Sequence, residues 1–291
     1  MKLFLDAVRE GRIIIFDGGM GTQLDARGLH PGPELNVKAP DAVGDVHLSY
    51  VEAGADVILT NTIVANRLAL ARSDEADKVE DYNAAGVRLC KEAAAGRAYV
   101  AGDIGSTGQL LAPYGDYSEE EFAEVFTEQA KVLAGGGVDL FIIETMTDPN
   151  EAVIAIKACK SISSIPVIAS IAFDRTANGP MTMMGNDPES CARMMVAAGA
   201  DIVGANCGGV TPEDMAGIIA RMRAVITLPL VAQPNAGLPE LVDGRAEFRM
   251  SPEDFAEGTM QCVESGAQLI GGCCGTTPAH IAALARSRGE G

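Results

Sequence analysis

Apolar and polar positions alternate along this chain on two length scales. Short runs rich in β-branched and other apolar residues recur at Arg12–Phe16, Asp56–Thr60, Tyr99–Gly102, Leu140–Ile143, Pro166–Ile171, Ile202–Gly204, Leu230–Ala232 and Gln268–Ile270. Most are continuously apolar, as parallel strands covered on both faces should be; a half-exposed strand would alternate. Between them lie longer segments of helical periodicity near Pro40–Ala53, Ala76–Gly96, Glu119–Gly135, Asn150–Ser161, Asp187–Ala198, Pro212–Val225, Pro252–Ser265 and Pro278–Ser287. Several open on recognisable start signals. Ser118 precedes three glutamates, and Thr211-Pro212-Glu213-Asp214, Ser251-Pro252-Glu253-Asp254 and Thr277-Pro278 each place a capping side chain before a proline.

Eight strand–helix units predict an α/β protein, a single (β/α)8 barrel of the TIM type. A doubly wound open sheet is the alternative, but no G-x-G-x-x-G follows the first strand. No linker or low-complexity segment divides the chain, so residues 1–291 are expected to form one domain.

In such barrels chemistry collects where the strands end, and polar residues collect there in this sequence. Asp17-Gly18-Gly19-Met20-Gly21-Thr22 follows the first strand, Asn61-Thr62 the second, Asp103-Ile104-Gly105 the third and Glu144-Thr145 the fourth. Asp174 comes shortly after the fifth, Asn206-Cys207 after the sixth, Gln233-Pro234-Asn235 after the seventh and Cys273-Cys274 after the eighth.

Composition narrows the function classes. The 291 residues are 47% hydrophobic, yet no window approaches the unbroken apolar length of a membrane span. A formal charge of −18 with only 22 basic residues repels phosphate backbones and acidic lipid surfaces, so neither nucleic acid nor a membrane is an expected partner. The N-terminus has an acidic Asp6 where a secretory peptide would continue its apolar region, and cytoplasmic residence is expected. Seven cysteines, an odd number, argue for reduced thiols rather than a disulfide framework. Cys90, Cys159, Cys191 and Cys262 fall within helical patterns and read as packing residues.

The other three read differently. Vicinal Cys273 and Cys274, framed by glycines, cannot readily close a disulfide on each other. A shared metal is the better reading. Catalytic zinc takes three protein ligands and keeps a fourth position open, and Cys207 is the candidate third, two strands away around a closed ring. The alternative is three buried structural thiols. A Cys₃ zinc site carries net negative charge and suits activation of a bound thiol, since the metal lowers the thiol pKa while thiolate ligands keep its sulfur nucleophilic. With only three histidines, none at a strand end, a histidine-based hydrolytic site is not expected. The turn at Asp17, Gly18, Gly19 and Met20 offers backbone N–H groups to a substrate carboxylate, and Asp17 or Glu144 a place for an ammonium group. A tight turn with no ligand is the alternative there.

These motifs, together with Thr60-Asn61-Thr62, Pro234-Asn235-Ala236-Gly237 and Gly271-Gly272-Cys273-Cys274-Gly275-Thr276-Thr277-Pro278, resemble the zinc-dependent homocysteine S-methyltransferases, most of all the homocysteine-binding module of cobalamin-dependent methionine synthase. The resemblance runs from about residue 10 to about residue 287. It implies zinc on Cys207, Cys273 and Cys274 as the catalytic centre. It implies homocysteine as the substrate, its amino acid end held near Asp17, Gly19 and Glu144; Gly18, Met20, Asn61, Asn206 and Asn235 at the same strand ends are further expected substrate-binding residues. The expected methyl donor is methylcobalamin or another corrinoid on a separate protein, because the sequence stops where longer relatives continue into donor-binding modules. S-methylmethionine or another small donor is the alternative; with 4% aromatics and no tryptophan there is little from which to build a cage for betaine. A catalytically silent zinc-binding or docking module is a reading from a different class. Two departures from the family pattern, Ile63 after Thr-Asn-Thr and Met183-Met184 before Gly185, are expected at the mouth of the site.

Overall fold

The structure, a computed structural model, describes residues 2–242 and 245–289. Its strands are β1 (Ile14–Ile15), β2 (Val57–Leu59), β3 (Tyr99–Ile104), β4 (Leu140–Met146), β5 (Val167–Ile171), β6 (Ile202–Asn206), β7 (Leu230–Gln233) and β8 (Leu269–Ile270). All pair in parallel, in the order β1-β8-β7-β6-β5-β4-β3-β2. The two edges then meet: Phe16 bridges Val57, and the Asp17 N–H donates to the Val57 carbonyl at 3.0 Å. The sheet is therefore a closed (β/α)8 barrel, and no edge is left to pair with another chain.

The outer helices are α1 (Pro40–Glu52), α2 (Val79–Ala94), α3 (Glu119–Gly136), α4 (Pro149–Ile162), α5 (Pro188–Ala198), α6 (Pro212–Arg223), α7 (Pro252–Glu264) and α8 (Pro278–Arg288). The cap signals form as the sequence indicates. Ser118 and Glu121 make a reciprocal capping box at α3, Thr211 and Asp214 make another at α6, and the Ser251 side chain accepts from Asp254 N–H at α7. Each such cap contributes about 1 kcal/mol. Helix α4 starts before the expected Asn150, because Asp148 caps it and Pro149 occupies its first turn.

Continuous apolarity in the strands has a two-sided cause. Ile14, Phe16, Val57, Leu59, Tyr99, Ala101, Leu140 and Ile142, with Ile168, Ile202, Val231 and Leu269, form one cluster that fills the barrel. The alternate residues Ile15, Ile58, Val100, Ile143, Val203 and Ile270 pack outward with the helices. Each fully buried side chain of this size contributes about 1.5–3 kcal/mol. A helix at Phe4–Arg9, which the sequence reading did not anticipate, adds Phe4, Ala7 and Val8 to the inner cluster; the Phe4 and Tyr99 rings meet edge-on at 5.3 Å. It plugs the N-terminal end of the barrel.

Two hairpins were also unanticipated, Asp174–Thr176 with Gly179–Met181 after β5 and Glu240–Val242 with Arg245–Glu247 after β7. Their strands, three residues each, are too short to show an apolar run. Asp174 lies on the first of them, where its Oδ1 accepts from Gly209 N–H at 2.7 Å.

Candidate metal centre and substrate cavity

Above the apolar filling, the next inward residues of the strands turn polar. Asp103 on β3, Glu144 on β4, Ser170 on β5, Asn206 on β6 and Gln233 on β7 are all buried. Strands β3, β4, β6 and β7 run past the ends expected from sequence, because ladder hydrogen bonds do not depend on whether a side chain is polar.

Three sulfurs meet at this end. The Sγ atoms of Cys207, Cys273 and Cys274 all lie within 4.8 Å of one another, and Cys207 and Cys274 are 3.9 Å apart. Tetrahedral zinc at the usual Zn–S distance would place two thiolates about 3.8 Å apart, so the spacing fits the ion. Two non-glycine residues at this rim adopt left-handed backbone, Cys207 at φ +54° and Thr145 at φ +56°. Such conformations are held by their surroundings at a cost of order 1–3 kcal/mol. Asn206 pins one of them directly: its Oδ1 accepts from Thr145 N–H at 2.9 Å while its Nδ2 donates to Thr145 Oγ1 at 2.7 Å. The Cys207 N–H donates to the Gln233 carbonyl at 3.1 Å. Gly19 must be glycine for another reason, since an added Cβ would lie 2.7 Å from the Cys273 carbonyl oxygen.

Hydrogen bonds from the Cys273 and Cys274 thiols pull the Cys207 pKa down to about 3. Burial, followed by the negative charge at Cys207, pushes Glu144 up to about 8. Asp17 is raised chiefly by burial, against the Leu59 N–H that its Oδ2 accepts at 2.8 Å.

Sulfurs and carboxylates share a cavity of about 340 Å³. Of the residues expected there, Cys207, Cys273, Cys274, Asp17 and Glu144 line it. So do Gly18, Gly19, Met20 and Asn61. Asn206 and Asn235, expected to touch substrate, stand behind the wall. Asn235 donates to the Gly208 carbonyl at 3.0 Å and accepts from Cys274 N–H at 3.0 Å, tying the two cysteine turns together. The Gly19 N–H, expected to face a carboxylate, donates instead to Thr276 Oγ1 at 3.0 Å. Ile63 lines the cavity as expected, together with Val64, whereas Met183 and Met184 do not. Asp103, Thr145 and Gln233 line it too and had no assigned role. The place of each at a strand end was the available signal, but nothing in sequence tells which strand-end side chains converge.

A sequence profile of the homocysteine S-methyltransferase family matches residues 14–287. The chain is 32% identical over 295 residues to a methionine synthase of Mycobacterium tuberculosis, covering 94% of this chain and 24% of that protein. It therefore spans about a quarter of that relative. It is 30% identical over 312 residues to homocysteine S-methyltransferase 1 of Zea mays, covering 96% of this chain and 95% of that protein. The metallated homocysteine methyltransferase MmuM from Escherichia coli superimposes with a TM-score of 0.81 at 25% identity, over 97% of this chain and 99% of that one.

Proposed function

The chain belongs to the homocysteine S-methyltransferase family, and from that premise we propose that it is a zinc enzyme transferring a methyl group to the sulfur of homocysteine to give methionine. The observation that carries the reading is one cavity lined both by three mutually close sulfurs and by buried carboxylates. An α-amino acid thiol matches both ends of it.

Zinc would be held by Cys207, Cys273 and Cys274, and when bound it supplies Lewis acidity that lowers the thiol pKa of the substrate. Asn235 keeps the cysteine turns in place, and Asn206 holds the turn at Thr145 beside Glu144. Glu144 and Asp17 receive the substrate ammonium, whose charge favours their ionised forms. Apolar Met20, Ile63, Leu59 and Pro31 line the cavity and keep water from the sulfur. The methyl group arrives in line with the sulfur, and the donor leaves with the bonding pair.

For the donor we favour a methylated corrinoid on a separate protein or domain, supported by the likeness to one quarter of a methionine synthase. A small donor such as S-methylmethionine is the second reading, supported by relatives that this chain matches almost end to end. Either way we take the chain as one homocysteine-binding domain. Its seven free cysteines suit the reducing cytoplasm. Methionine formation from homocysteine, assayed in parallel with methylcobalamin, S-methylmethionine and betaine, tests both activity and donor; no methionine with any donor, in the presence of zinc, would refute the activity.

A further inference from the structure

The cavity floor holds two buried acceptors with nothing to accept. Asp103 is 5% exposed, and its Oδ1 has no hydrogen-bond partner among the described residues. Gln233, 2% exposed and also on the cavity wall, has an unpartnered Oε1. Leaving a buried acceptor unpaired costs about 1–3 kcal/mol, more when it is charged. Such a cost persists where a ligand removes it.

The backbone around Asp103 is, by contrast, fully engaged. Its N–H donates to Thr60 Oγ1 at 3.0 Å and its carbonyl accepts from Thr62 Oγ1 at 2.7 Å. The carboxylate is therefore aimed by a fixed strand, not by a contact of its own. On β3 it is in register with Ile142 on β4, two residues below Glu144, and so lies deeper than Glu144. Asp17, at the same end, already spends one oxygen on Leu59 N–H. None of the residues lining the cavity is basic. Three carboxyl groups and an amide oxygen thus line one cavity without a basic side chain, and the matching ligand group is one with several N–H donors and a positive charge.

We propose that Asp103 is a specificity-determining residue of this site, receiving the primary ammonium group of the substrate at the cavity floor together with the Gln233 side-chain oxygen. This rests on the homocysteine reading and refines it. Asp103 and Gln233 take N–H groups that Glu144 above cannot reach alone, and the site therefore requires an unsubstituted amine. An N-acylated thiol has one N–H and no charge. The same carboxyl is held above the usual range by burial, then by Glu144 and Asp17.

The test uses the zinc-loaded protein and its Asp103→Asn variant, with Asp103→Ser as a second in case the amide disturbs the floor. Binding of homocysteine and of 4-mercaptobutanoate, the same thiol acid without the amine, is measured by calorimetry, with zinc content and thermal midpoint followed in parallel. The parent should prefer homocysteine. Both variants should bind homocysteine roughly 10- to 100-fold more weakly, as loss of a charge-assisted hydrogen bond implies, and bind 4-mercaptobutanoate as the parent does. Their thermal midpoint without ligand should stay or rise, because an unpaired buried carboxyl has been removed; a purely structural residue would lower it. A variant that keeps the full preference for homocysteine, or weakens both thiols equally, overturns this assignment alone. A parent with no preference for the amine-bearing thiol overturns the homocysteine reading and this assignment with it.

Discussion

Asn235 and Cys274 are joined by a hydrogen bond from the Cys274 N–H to the Asn235 side-chain oxygen, 3.0 Å long, and the same side chain donates to the Gly208 carbonyl next to Cys207. One amide thereby fixes the separation of two cysteine turns that lie far apart in sequence. Partners of this kind orient metal ligands, and their loss typically costs 10- to 100-fold in metal affinity. Asn235→Ala should accordingly weaken zinc binding by about that factor in a competition titration with a chromogenic chelator. Unchanged affinity would mean that the glycine turns hold the sulfurs unaided.

Glu144 should act on substrate and not on metal, since the three sulfurs already occupy the positions a catalytic zinc allows the protein. Glu144→Gln keeps shape and one acceptor while removing charge, so homocysteine should bind roughly 10- to 150-fold more weakly at unchanged zinc content. Calorimetry with metal analysis separates the roles. Lost zinc would make Glu144 a ligand, and unaltered homocysteine binding would remove it from the substrate site.

Chelation should leave the barrel standing. Neither the inner cluster around Phe16, Leu140 and Ile142 nor the helical layer contains any of the three sulfurs. Far-UV circular dichroism should stay within a few per cent as about one zinc per chain is withdrawn. Collapse of the helical signal on chelation would show instead that the metal is structural.

His47 on α1 should give the stability a pH dependence of its own. It is fully buried, neither ring nitrogen has a partner, and burial holds its pKa down to about 4. The unfolded chain titrates near the ordinary value of about 6.5 and so binds more protons between the two values. The contribution is complete above about pH 6.5 and is lost as pH falls towards about 4, on the order of 3 kcal/mol. Asp17, Asp103 and Glu144, raised in the fold, slope the opposite way, so the clean comparison is between parent and His47→Leu. Urea unfolding at pH 7 and pH 4 should show a smaller acid loss in the variant; equal losses would place the imidazole in contact with water.

The sequence by itself determined the barrel and the identity of the three sulfurs. Strands buried on both faces must read as unbroken apolar runs, caps and prolines mark helix starts locally, and Cys207 and Cys273-Cys274 stand where strands end. It also supplied Asp17 and Glu144 by the same positional logic. Only the tertiary structure decided how strand-end side chains divide the work. Asn206 and Asn235 turn their amides to the backbone of the cysteine and Glu144 turns, while Asp103 and Gln233 point into the cavity without partners. That difference depends on strand register around a closed ring: each inward position is fixed by pairing with a neighbour many residues away, and a shift of one residue would exchange inside for outside. The plug at Phe4–Arg9 and the two hairpins were decided at the same level, since elements of three to six residues owe their form to what they pack against rather than to any period of their own.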